Sequence, residues 1–376
     1  MDVVPTHTIG NTMQYTSADF SHSPFVAFYE VTRACDLICN HCRACAQPNP
    51  HKNELTTEQS LALLEQFSSF PKPPTLIFTG GDPMKRADIF ELVRRSAALG
   101  MITAMTPSAT PLVTKQALAT LKEVGLSRLA VSLDGCDAKT HDDLRGVDGS
   151  FQRTWEILHD ARAAGLSLQV NTTITSRNIH QVEAMATILS TVGMSLWSVF
   201  FLIPVGRGRS EQRIAPEQYE EVFHKLWRLS KVQPYAIKTT EAPHYRRFVL
   251  QRADDPQETP RFAPSDRVMR APLGVADGKG CMFVSHTGSV YPSGFLPILA
   301  GKFPQSSIVD IYQNSEIFLA LRDSEALRGK CHDCEFRDVC GGSRARAYAV
   351  SGDPLAAEPD CVYQPLKCRD RVACSV

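Results

Sequence analysis

The sequence predicts an α/β chain: six parallel βα units in a partial barrel or open sheet, then a bridging stretch and a small cysteine-rich module. Three observations carry this. Short β-branched runs alternate with amphipathic helical stretches from residue 25 to residue 204, and such alternation builds parallel βα units. Six units fall short of the eight that close a TIM barrel. Seven of the twelve cysteines lie at or beyond residue 281, among many Gly and Pro residues.

Taken in order, Phe25–Thr32 (FVAFYEVT) reads as the first strand. Thr56-Thr57-Glu58-Gln59 has the pattern of a capping box, opening a helix to about Phe70. Thr75–Thr79, Ile102–Thr106 and Arg128–Asp134 are the next three strands, with helices over Ile89–Leu99 and Lys115–Val124 between them. A helix over Phe151–Ala164 precedes the fifth strand, Leu166–Thr175; another over Ile179–Val192 precedes the sixth, Trp197–Pro204. The bridge holds one helix, Pro216–Leu229, and a short strand over Pro234–Thr240. Ligands of such folds gather at the carboxyl ends of the strands.

Composition narrows the class. At 376 residues two or three domains are expected, against roughly 100–200 residues per domain; the boundaries fall at 1–24 (extension), 25–210 (barrel), 211–280 (bridge) and 281–376 (cysteine module). With 40 basic and 40 acidic residues, binding of nucleic acid by bulk positive charge is disfavoured. Ala184–Gly206 carries no charge, but Gly193 and Pro204 break it, so no membrane span is expected. The first residues, MDVVPTHTIG, lack the basic and apolar regions of a secretory signal, which makes the protein cytoplasmic. In that compartment clustered cysteines are metal or cluster ligands, not disulfides.

Two clusters stand out. Cys35, Cys39 and Cys42 sit on one short loop after the first strand, spaced to converge on one face of an iron–sulfur cube. Three thiolates leave one iron of four without a protein ligand. Such a site is open to a substrate or cofactor. Cys45 continues the series as a spare or a packed thiol. The second cluster is Cys331, Cys334 and Cys340, followed by Cys361; on spacing alone a zinc ribbon remains the alternative.

The Cys-x3-Cys-x2-Cys loop is the signature of the radical S-adenosylmethionine (SAM) enzymes, and the chain resembles them well beyond it. Gly80-Gly81-Asp82-Pro83 looks like the family's Gly-Gly-Glu-Pro element, which holds the SAM amino group. Ser132 and Asp134 match its ribose-contacting positions, Asn171, Thr172 and Leu202 its SAM and adenine contacts, and Arg145 an arginine that pairs with the SAM carboxylate. The resemblance implies a partial (βα)6 barrel and a 4Fe–4S cluster chelated by SAM. It also implies reductive cleavage to a 5′-deoxyadenosyl radical that abstracts hydrogen, fed by a flavodoxin- or ferredoxin-type reductant.

The C-terminal spacing resembles the SPASM/Twitch extension, implying one auxiliary 4Fe–4S cluster on Cys331, Cys334, Cys340 and Cys361. A second auxiliary cluster is not expected, because Ser293 and Arg344 stand where two of its cysteines would be. Cys281 is then a remnant, a packed thiol or a participant at the substrate, in that order. Cys136 reads as packed; Cys368 and Cys374 read as free.

Among relatives, the haem-biosynthesis branch, which oxidises tetrapyrrole side chains by steps such as propionate decarboxylation, is favoured. Peptide maturases that cross-link or epimerise are the alternative, and a non-catalytic iron–sulfur carrier or scaffold is a second. Glu241, His244, Tyr245 and Arg246 pack acid, imidazole, phenol and guanidinium just past the bridge strand, as candidate substrate contacts or a solvated loop. His286 is a further candidate, and His41 is expected to orient the cysteine loop.

Overall fold

The computed structural model describes residues 15–253 and 274–368; Cys374 lies outside them. The chain runs β1 (Val26–Thr32), α1 (Thr57–Ser68), β2 (Thr75–Gly80), α2 (Ile89–Ala98), β3 (Thr103–Met105), α3 (Lys115–Glu123), β4 (Arg128–Ser132), α4 (Ala138–Arg145), α5 (Ser150–Ala163), β5 (Ser167–Ile174), α6 (Val182–Leu189) and β6 (Leu196–Phe201). It continues through α7 (Pro216–Val232), β7 (Ala236–Thr240), α8 (His244–Ala253), β8 (Cys281–Val284), β9 (Ser289–Tyr291), β10 (Gly301–Lys302), α9 (Ile308–Asn314), α10 (Glu316–Arg322) and α11 (Arg344–Ser351).

All ten strands form one sheet in the order β10-β9-β8-β1-β2-β3-β4-β5-β6-β7. From β8 to β7 every pairing is parallel. The α/β partial barrel is therefore borne out, and it is wider than six units. The bridge strand β7 joins β6, and β8 joins β1 on the far side. Within the described residues β7 ends the sheet without pairing to β8, so the barrel stays open there.

Side-chain alternation decides what the barrel encloses. On β5, Leu168, Val170 and Ile174 enter the core under the helices, while Ser167, Gln169, Asn171 and Thr173 point inward. Polar inward positions keep the interior open, where a TIM barrel fills it with branched apolar layers. The helices bury a matching stripe: Leu63, Leu64 and Phe67 of α1, Leu118 and Leu121 of α3, Ile157 and Leu158 of α5. Each such side chain contributes about 1.5–3 kcal/mol on burial. Thr56 accepts from Gln59 N, and Gln59 answers at Thr56 N, the expected capping box.

Several elements differ from expectation. Helix α4 was not anticipated: its sequence, AKTHDDLR, buries only His141 and Leu144 and is set by its ends, with Asp137 accepting from Thr140 N and Gly146 closing it. The helix expected from Ile179 opens as a single 3-10 turn before α6. Residues 244–253 form α8 and not a solvated loop, and the C-terminal part holds α9, α10 and α11. Among the described residues no helix is long and apolar enough to cross a membrane.

Candidate active site and auxiliary nest

The open interior is a cavity of about 1580 Å³ running through the barrel. Cys35, Cys39 and Cys42 line its carboxyl-end mouth. Their loop is pinned from two sides. A Cβ on Gly81 would lie 2.4 Å from the Ala34 carbonyl oxygen, and one on Gly206 (φ +56°) 2.5 Å from that of Cys42. Only glycine lets β2 and the turn after β6 press so closely on the cysteines. Arg207 adds two hydrogen bonds, from its backbone N to Cys42 O (3.0 Å) and from Nε to Cys39 O (2.8 Å).

The donor set fits an iron–sulfur cluster. Cys35 Sγ receives the Leu37 N–H (3.4 Å) and lies 3.3 Å from Ser108 Oγ, the kind of contact that tunes cluster thiolates. Burial pushes the Cys35 and Cys39 thiols up, so a stable thiolate there calls for a cationic partner. Arg145 Nη1 stands 3.8 Å from Cys39 Sγ.

Behind this loop lies a charged brace. Burial opposes ionisation of Asp134, yet the Arg145 guanidinium at 2.5 Å, with His41 and His141, holds its carboxyl below the ordinary value. His41 lies 3.5 Å from the same carboxylate and is driven to about 4 by burial, so at neutral pH it is an uncharged orienting group.

The expected SAM contacts divide into those on the cavity wall and those beneath it. Gly80, Gly81, Ser132, Arg145, Asn171 and Leu202 line the cavity. Asp82 does not: its fully buried carboxylate accepts from Met84 N (3.1 Å), Ser108 N (3.3 Å) and Thr110 Oγ1 (2.7 Å), so it shapes the loop instead of reaching a ligand. Pro83, also buried, opens a 3-10 turn under the wall. Asp134 likewise spends Oδ1 on Thr173 N (2.7 Å) and Oδ2 on Arg145. Thr172 points outward, donating to Leu133 O and accepting from Trp197 Nε1 (2.8 Å). Strand alternation puts Asn171 and Thr173, not Thr172, on the inner face.

The substrate candidates divide too. Glu241, Tyr245, Arg246 and Cys281 line the main cavity; His244 faces the second cysteine cluster. Glu241 sits at φ +60°, with its carboxylate accepting from Ser343 Oγ (2.6 Å); burial and the neighbouring Asp277 push it well up. The Cys281 thiol is raised by burial beside the same two acids. His286 is held 2.7 Å from Glu30, which also pairs with Arg43 at 3.0 Å, and it is not on the cavity wall.

Cys331, Cys334, Cys340 and Cys361 surround a separate small pocket that shares one wall residue, Gly342, with the main cavity. Each sulfur receives a backbone N–H: from Glu358 (3.3 Å) at Cys331, and from Phe336, Gly342 and Tyr363 at the others. Burial pushes Cys334 up to about 11 and Cys340 to about 12. Both ring nitrogens of the buried His244, on the same wall, lack a partner. Among the described residues no three His, Cys, Asp or Glu groups converge on a single-ion position; the sulfurs stand around a space, as a cluster needs. Arg344 donates to the Pro354 and Ala356 carbonyls, bracing the nest from the position expected for a cysteine.

Sequence reasoning missed much of this scaffold. Gly206 and Arg207 belong to GRGRS just after β6, a glycine-rich turn that could have been flagged. Arg346, fully buried with Glu358 (3.2 Å) and Asp360 (3.1 Å), ties the nest to β6 through Phe201 O. No local pattern announces that network.

Comparison with known proteins agrees with this geometry. The family model of the radical SAM superfamily matches residues 29–189. AdoMet-dependent heme synthase of Oleidesulfovibrio alaskensis is 38% identical over 365 residues, covering 96% of this chain and 93% of the relative. The protein of the same name from Methanosarcina barkeri is 37% identical over 348 residues, covering 92% and 99%. Streptococcus suis SuiB bound to S-adenosylmethionine shares the fold, with a TM-score of 0.68 at 16% identity over 91% of this chain and 78% of that one. With three cysteines at the mouth of an open parallel barrel, and relatives of this identity along nearly its whole length, the chain belongs to the radical SAM superfamily.

Proposed function

We propose that this enzyme converts propionate side chains of an iron tetrapyrrole to vinyl groups, as the final chemistry of haem formation. The observation that carries this is the 38% identity to an AdoMet-dependent heme synthase over almost the full length of both chains. Per side chain the substrate loses one hydrogen atom, one electron and CO2. When bound, the cluster at Cys35, Cys39 and Cys42 with SAM supplies the hydrogen-abstracting 5′-deoxyadenosyl radical, and a cluster in the second nest supplies an electron acceptor.

The chain's own residues orient and enclose. Arg145, fixed by Asp134, presents a cation beside Cys39 for a ligand carboxylate. Ser132, Asn171 and Thr173 offer hydroxyl and amide groups to a nucleoside, and Leu202 with Ile203 an apolar face. The cavity exceeds the roughly 300–1,000 Å³ of an ordinary ligand pocket, room for SAM and a large substrate together. The shared wall at Gly342 brings the second nest to the edge of that space. A flavodoxin- or ferredoxin-type protein is the reductant this chemistry requires.

The test is anaerobic incubation of iron- and sulfide-reconstituted protein with SAM, dithionite and an iron tetra-propionate porphyrin. Mass spectrometry should find products lacking the elements of formic acid from one or two side chains, alongside 5′-deoxyadenosine. Recovery of the porphyrin unchanged, while SAM is still cleaved, overturns the tetrapyrrole assignment.

A further inference from the structure

The cavity has a second charged region, away from the cysteines. Arg128 opens β4, and its side chain enters the cavity among Thr75 and Ser167, the first residues of β2 and β5. Lys238, at the centre of β7, points into the same space. Among the described residues neither has an acidic partner, and Arg128 Nε, shut away from solvent, has no hydrogen-bond partner. The two cations feel each other: the Lys238 ammonium is pushed down to about 8 by its enclosure and by Arg128. Arg246 adds a third guanidinium to the wall, hydrogen-bonded to the carbonyls of Val275 and Val339 and to no carboxylate.

Enclosed cations are costly unless an opposite charge meets them. The acids nearby do not serve. Glu241 is held toward its neutral form and bonded to Ser343, and Asp277 accepts from Ala345 N (3.0 Å). Both line the same cavity and bear on Cys281, not on Lys238. A ligand must therefore bring the negative charge. That ligand is not the SAM carboxylate beside Cys39: β4 runs from Arg128 to Ser132, and its ends lie about 13 Å apart at roughly 3.3 Å per residue.

We propose that Arg128 and Lys238 form a carboxylate-anchoring subsite at the amino-end floor of the barrel. It holds carboxylates of the substrate that do not react while others are presented at the cysteine mouth. This rests on the tetrapyrrole reading, since a macrocycle carrying several propionates can meet both ends of the cavity at once. Two separated cationic regions facing one cavity fix its orientation, and hence which side chains are altered.

The experiment is fluorescence titration of the reconstituted holoprotein with a metal-free tetra-propionate porphyrin and, in the same detergent solution, its neutral tetra-ester. Wild type should bind the acid more tightly than the ester. R128Q and K238M should each weaken acid binding by about tenfold, the effect of losing one charged hydrogen bond, leave ester binding and SAM binding unchanged, and K238R should restore acid binding. If R128Q and K238M keep wild-type affinity for the acid, or wild type prefers the ester, the anchor is overturned and the tetrapyrrole reading stands. Binding of neither porphyrin by wild type overturns both. Should a variant fail to bind SAM, and so be misfolded, the acid-against-ester comparison on the unaltered protein decides.

Discussion

The two cysteine nests of this protein are built from the same ligand and differ in what faces them. The first offers three thiols on a loop between β1 and α1, at the mouth of a cavity of about 1580 Å³. The second closes four around a small pocket, each sulfur bonded by a backbone N–H and the nest tied down by the buried Arg346–Glu358–Asp360 network. An incomplete ligand set beside open space is a reaction centre. A complete one behind a wall passes electrons and fastens the chain. The difference shows that ligand count, read with what adjoins it, assigns a role that the cysteines alone do not.

The comparison can be broken most severely at the first nest. C39S should abolish 5′-deoxyadenosine formation while keeping about half of the bound iron, held by the second nest; full iron loss would show that the nests are not independent. C340A should do the reverse. Iron falls by about half and SAM is still cleaved, but vinyl product is lost and the melting temperature drops, because Cys340 is a deeply buried corner of the stapled module. Retained product formation in C340A would remove the second nest from the chemistry.

A smaller effect sharpens how the open loop is held. G206A places a Cβ 2.4 Å from the Arg43 carbonyl oxygen at φ +56°, so the turn must move off the cysteine loop. At about 1–3 kcal/mol of strain, SAM cleavage should fall by roughly tenfold or more, with the second nest's iron retained. The smallest effect lies in the scaffold behind that loop. His141 accepts from Asp134 N (2.9 Å), lies 3.3 Å from Ser150 Oγ, and faces Arg145, Asp142 and His41. Burial lowers it from 6.5 to about 4. The unfolded chain therefore takes a proton first as pH falls. Relative to H141Q, stability should decline between pH 6.5 and about 4, by at most about 1.4 kcal/mol per unit, and level off below. Denaturant midpoints across that range check it, and parallel curves for the two proteins would refute it.

Much of this was legible in the sequence because it is local. The spacing of Cys35, Cys39 and Cys42 and the alternation of strands need only neighbours along the chain. Helix α4 was missed because its stability comes from Asp137 and Gly146 at its ends, not from an apolar stripe. Asp82 and Asp134 illustrate a second limit. Their places in the motifs were readable, but not that their carboxylates turn into the protein, since that depends on Thr110 and Arg145, far along the chain. His244 is similar: within EAPHYRR it looks equivalent to Tyr245, and helix geometry sends the two to different pockets.

What the sequence determined by itself was the kind of chemistry, because thiolate spacing and motif order along successive strands are properties of the chain. Only the tertiary structure decided which polar groups face the cavity, that β7 and β8 widen the barrel, and that Arg128 and Lys238 meet inside it without an acidic partner among the described residues. Those facts depend on residues far apart in sequence, and the electrostatics of a buried charge are set by what surrounds it in space.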